Sequence, residues 1–238
     1  LPWVHPNGIL YTAGRPGFQV SHDFIGPASF RDALRTRIQP SLAQGEWHMQ
    51  LELRELRKQD YKKTIRFAIT GMHFDWYMDS RVLLNLYGRY FWYLELTRAT
   101  QVIAAYAEGD FAGVLLAAVK GEEKRHRSFW KSLYVTIFDR LQRGFSKDGA
   151  GAYEAANKDL FARYCKNNTP DGEILFLAAN PELKIKGIGT ALLAEFERRE
   201  QGKTVYVYTD NACTYSFYEH RGFERAGETD IVLRLGSK

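Results

Sequence analysis

Apolar and polar positions along the chain change period several times, and each change marks an element. Leu51, Leu53 and Leu56 alternate with charged residues, which predicts a half-buried strand over 51–57. Residues 60–97 read as mostly helical. Gln101–Ala107 alternates weakly, Glu108-Gly109-Asp110 makes a turn, and Gly113–Val119 is a second apolar run. Together these predict a hairpin. Over 122–145, Trp130, Leu133, Tyr134, Ile137, Phe138, Leu141 and Phe145 recur at helical spacing. Tyr153, Leu160, Phe161 and Tyr164 predict another helix, which ends before the loop signal Asn167–Gly172. Beyond it the pattern predicts a buried strand (Glu173–Ala179) and an amphipathic helix (Gly187–Glu200) with Leu192, Leu193 and Phe196 inward. A strand (Thr204–Tyr208), a short helix (Thr214–Arg221) and a last strand (Ile231–Leu235) complete a mixed α/β order.

The first 48 residues stand apart. They hold five of the seven prolines and sustain neither helical nor strand periodicity. The first methionine is Met49, and the regular pattern starts just after it. The division is therefore 1–48 and 49–238. Residues 1–48 are either an arm that packs on the domain or an extension upstream of the natural start; both readings stay open here.

Composition narrows the class. At 238 residues and 45% apolar, the chain can bury a real core. No stretch approaches the roughly 20 consecutive apolar residues of a membrane span. Pro2, His5, Pro6 and Gly8 do not resemble a secretory leader. Cys165 and Cys213 make no disulfide framework and have no paired metal-ligand spacing, so reduced thiols and a cytoplasmic location are expected. A net charge of +5 mildly favours an anionic partner.

The chemistry concentrates in 173–223. The strand ending at Ala179 runs through Asn180-Pro181-Glu182-Leu183 into Lys184-Ile185-Lys186-Gly187-Ile188-Gly189-Thr190, which opens directly into a helix. A helix start offers unpaired N–H groups and the positive end of the helix dipole. Glycines let a phosphate approach the main chain. Two lysines add positive charge, and the Thr190 hydroxyl can donate to phosphate or cap the helix. A lysine-rich turn would look the same, whereas Walker and Rossmann spacings are absent. After the next strand come Asn211 and Tyr218-Glu219-His220-Arg221-Gly222-Phe223.

This pair of motifs, in order and about 30 residues apart, resembles the GCN5-related N-acetyltransferase (GNAT) superfamily. Lys184 stands where the family has Arg or Gln, Gly187 and Gly189 match its acetyl-CoA loop, and Asn211 and Tyr218 keep the family spacing. Thr214 stands where an alanine is usual. The resemblance covers roughly 51–238, apart from a helical insertion at about 120–172. It implies a GNAT fold: a central mixed, mostly antiparallel sheet flanked by helices, with the insertion before the strand that leads to the acetyl-CoA loop.

The resemblance also implies an N-acetyltransferase that moves an acetyl group directly from acetyl-CoA, its co-substrate, to a primary amine without a metal. Main chain at Leu177, Ala178 and Ala179 would pair with the pantetheine arm. Lys184, Lys186, Gly187, Ile188, Gly189, Thr190 and Asn211 would serve the carrier. Tyr218 would be the general acid, against the plainer reading of a packed aromatic. Glu173 would be the general base, against a solvated carboxylate at a strand end. His220 is expected to be exposed, and Cys213 lacks an activating partner. The run Lys124-Arg125-His126-Arg127 reads as a solvated helix face. Trp76, Tyr77, Tyr87, Tyr90, Phe91, Trp92 and Tyr93 read as mostly core, with one or two able to line an acceptor pocket. A small-molecule amine is preferred to a protein acceptor, with no nucleic-acid or membrane partner and a possible homodimer. A peptide acetyltransferase and a non-catalytic CoA-binding regulatory module are the alternatives.

Overall fold

A computed structural model describes residues 7–13, 51–76, 78–145, 150–210 and 216–230. The strands are β1 (Asn7–Ala13), β2 (Leu51–Arg54), β3 (Gln101–Ala107), β4 (Asp110–Val119), β5 (Gly172–Ala179), β6 (Val205–Asp210) and β7 (Glu224–Asp230). The helices are α1 (Tyr61–Gly71), α2 (Arg81–Arg98), α3 (Phe129–Phe145), α4 (Ala150–Tyr164), α5 (Ile188–Arg199) and α6 (Ser216–Glu219). Among the described residues, the seven strands join one sheet in the order β2-β3-β4-β5-β6-β1-β7. Every pairing is antiparallel except β5 with β6, which is parallel. This is the mixed, mostly antiparallel sheet flanked by helices that the sequence leads one to expect.

The weak alternation of β3 has a physical cause: both faces of the sheet are covered. Val102, Ala104 and Tyr106 face a core built with Phe67, Trp92 and Leu96 of α1 and α2. Ile103, Ala105 and Ala107 face a second core with Ile188, Leu192 and Phe196 of α5. A strand buried on both sides has no reason to alternate apolar with polar.

Three elements differ from the expectation. The Asn7–Ala13 strand lies inside the stretch where no periodic element is predicted. It sits between β6 and β7 and buries Ile9, Leu10 and Tyr11. Burial on both faces again hides the period. The Glu224–Asp230 strand is also unforeseen: its ERAGETD sequence is polar because it pairs only with β1, at the sheet edge. Its counterpart in the reading, Ile231–Leu235, lies outside the described residues. Finally, α3 starts at Phe129, so Lys124–Arg127 belong to the connection before the helix and are not a helix face. Among the described residues, no helix is long and apolar enough to cross a membrane.

Candidate active site

The site begins where two parallel strands part. β5 and β6 pair only over Gly172–Ile174 and Val205–Val207. Beyond that, β5 continues along β4 to Ala179 while β6 follows β1 to Asp210. The divergence leaves one backbone edge of Leu175–Ala179 unpaired by β6. Such an edge can accept an extended ligand as an added strand. The gap opens into a cleft of about 480 Å³. Its walls are Ile174–Ala179 of β5, Val207–Thr209 of β6, the last turn of α1 with Met72 and His73, and Gly189, Phe217 and Tyr218.

One end of the cleft meets the start of α5. Asn180 shapes the approach: its N–H bonds Ala112 O at 2.7 Å, and its side-chain oxygen accepts from the Glu182 N–H at 3.0 Å. This Asn-Pro-Glu turn lifts the chain off the sheet. Gly187 caps α5 with φ +86°, a left-handed conformation that side chains disfavour. Its carbonyl accepts the first helical bond, from the Ala191 N–H at 2.9 Å. The next amides therefore keep their N–H groups turned outward. Gly189 has the Phe217 ring over it, with 3.1 Å between the ring and the place a Cβ would occupy. Ile188 is buried and pins the loop to the core, whereas Lys184 and Lys186 are exposed. Thr190 does not cap the helix. Its oxygen accepts a bond from Arg221, whose guanidinium lies 3.6 Å from the centre of the Phe217 ring and donates to Phe217 O at 2.7 Å. Arg221 thus ties the start of α5 to the helix that carries Tyr218.

Tyr218 lines the cleft from α6, half-buried, with its ring against Phe217 and Phe223 at 5.2 and 5.4 Å between centroids. Its ring also stacks on Tyr11 of β1, at 6.4 Å. Tyr11 is fully buried and donates to Glu219 at 2.6 Å, and Arg225 bonds both Tyr11 and Glu219. A strand far away in sequence therefore holds the short helix in place. Nothing in the sequence ties Tyr11 to Tyr218, since 207 positions separate them; only the pairing of β1 beside β6 and β7 does so.

Glu173 is not on the cleft wall. Its carboxylate accepts from Arg98 at 2.7 Å and from the Tyr206 hydroxyl at 3.1 Å. The same guanidinium holds both oxygens of Glu95, at 3.2 and 2.9 Å. Glu173 is therefore neither a carboxylate poised in the cleft nor a solvated strand end. It is one arm of a Glu–Arg–Glu bridge between β5 and α2. Burial pushes the Glu95 carboxyl up to about 7; Arg98 opposes the shift and the Glu173 charge adds to it. Burial and the Glu173 charge also push the Tyr206 phenol far up, so it remains a hydrogen-bond donor.

Of the residues expected at the site, Leu177, Ala178, Ala179, Gly189 and Tyr218 line one cleft, and Gly187, Ile188 and Thr190 shape its end. Asn211 and Cys213 lie outside the described residues, as does Tyr77. The aromatic group of α2 does not reach the cleft: Phe91 packs on Phe74 and Phe176, Trp92 on Tyr61, and Tyr87 and Tyr90 on Phe138 of α3. Phe67, Met72 and His73 supply that wall instead. His220 is exposed. Reading the sequence missed Tyr11, Arg98 and the clamping role of Arg221, although Arg221 stands within the motif itself. The described residues contain no group of three or more His, Cys, Asp or Glu placed to hold a metal ion.

Residues 160–223 match the model of the acetyltransferase (GNAT) family. That span contains β5, the α5 loop, β6 and the Tyr218 helix. No curated protein matches the chain. The structure is similar to that of a functionally unknown conserved protein from Staphylococcus epidermidis ATCC 12228, at 11% identity and a TM-score of 0.48. The similarity covers 99% of this chain and 64% of that one, so the chain spans less than two-thirds of that protein's length.

Proposed function

We propose, on the premise that this chain belongs to the GCN5-related N-acetyltransferase superfamily, that it transfers an acetyl group from acetyl-CoA directly to a primary amine. One observation carries the reading: the unpaired edge of β5, the glycine-lined start of α5 and the ring of Tyr218 all border a single cleft. The chain's residues fit such a carrier. The edge at Leu177–Ala179 can pair with an amide-bearing arm, and the outward N–H groups after Gly187 can receive a diphosphate. Lys184 and Lys186, exposed beside that loop, add positive charge. Acetyl-CoA supplies the activated acetyl group, and holding it beside the amine provides much of the rate through proximity. Tyr218 acts as the general acid, its phenol proton directed at the leaving thiolate.

The expected base role of Glu173 is not part of this proposal. To take a proton from an amine, Glu173 would have to loosen its bonds to Arg98 and Tyr206.

The test is thiol release from acetyl-CoA with panels of small amines and of peptides, beside calorimetric binding of acetyl-CoA. Tyr218→Phe is expected to lower kcat about 10²–10⁴-fold and to change acetyl-CoA affinity little. Equal losses in both would remove the acid role. Tight binding with no turnover on either panel would favour a regulatory CoA-binding module.

A further inference from the structure

The half of α3 that faces away from the sheet presents a large apolar surface. Phe129 and Trp130 are 73% and 75% exposed, and Ile137 and Leu141 are half-exposed about two and three turns on. Beside them, the first turns of α2 expose Val82 and Leu83, at 68% and 57%. The Tyr134 hydroxyl bonds the carbonyl of Leu86, and Phe138 stacks on Tyr90, so these exposed positions lie on two helices packed side by side. The bare side chains amount to roughly 800 Å², above the roughly 300–600 Å² that a monomer usually leaves uncovered. The connection just before α3 exposes Lys124, Arg125 and Arg127. Arg140, exposed on α3 itself, adds a further positive charge.

We propose that this face docks on the surface of an anionic lipid bilayer, with Phe129, Trp130 and the aliphatic stripe entering the headgroup boundary and the cationic run contacting the lipid phosphates. An apolar stripe beside a basic run is the pattern of helices that lie in a membrane interface. A second copy of the chain fits less well, because identical positive fringes would meet across the contact. A nucleic acid fits less well too, because most of the stripe is aliphatic and offers bases nothing to stack on. The expectation of no membrane partner came from the absence of a spanning segment, which does not bear on surface contact.

The test is co-sedimentation of the full chain with vesicles of phosphatidylcholine alone and with 30% phosphatidylglycerol, at low and high salt, beside light scattering. Binding is expected only to the anionic vesicles and is expected to weaken with salt. Neutralising the run (Lys124→Gln, Arg125→Gln, Arg127→Gln) should cost about 100-fold or more in partitioning. Trp130→Ser should cost about tenfold while leaving thermal unfolding and acetyl-CoA binding unchanged. Lack of binding to anionic vesicles would overturn the proposal. So would equal binding by the variants, a dimer broken by Ile137→Glu, or a preference for RNA over anionic vesicles.

Discussion

At the scale of single residues, the Glu95–Arg98–Glu173 bridge carries an electrostatic cost, because Glu95 is buried. One guanidinium serves two carboxylates, so one negative charge lacks its own counter-ion. The folded chain meets this by holding a proton on Glu95, whose carboxyl titrates near 7. An unfolded glutamate titrates near 4.3, so between these values the native state binds more protons than the unfolded chain. Stability from this group is therefore full at low pH and is lost as pH rises through about 7, by about 4 kcal/mol at most. Glu95→Gln keeps an acceptor for Arg98 without the charge. Its urea midpoint should vary less between pH 5 and pH 8 than that of the parent chain. An unchanged slope would show that the pH dependence arises elsewhere.

At the scale of elements, the start of α5 matters through its conformation more than its charge. Gly187 is glycine because its φ of +86° excludes other residues at modest cost, although a Cβ there would meet nothing. Gly187→Ala should cost about 1–2 kcal/mol in stability. It should also weaken acetyl-CoA binding about tenfold by turning the first amides away, and Gly187→Glu should abolish binding. Calorimetry on both variants reads this directly, and full affinity in the alanine variant would show that the loop is not what holds the carrier. The Arg221 clamp joins the same two elements. It fixes the start of α5 against the helix bearing Tyr218.

At the scale of the whole molecule, the sheet is completed by a strand from the far end of the chain. β1 is the neighbour through which β7 joins the sheet, and Tyr11 holds the helix of Tyr218. Tyr11→Ala empties a fully buried aromatic site and should cost about 3–5 kcal/mol in chemical unfolding. Tyr11→Phe keeps the ring and should lower kcat more than it lowers stability; the opposite order would make Tyr11 a packing residue only. The loop, the helix of α5 and the tyrosine are legible in the local spacing from Glu173 to Phe223, because a helix start and the turn before it are built from neighbours in the chain. So is the β3–β4 hairpin, which has a turn of its own. The sequence could not reveal the place of β1, because a strand buried on both faces loses its alternation. Nor could it reveal the capture of Glu173 by Arg98, because an ion pair across 75 positions is decided only when α2 packs against β5. What the chain determined alone was local chemistry. Tertiary structure decided which distant side chains meet it, since burial and pairing are properties of the folded whole.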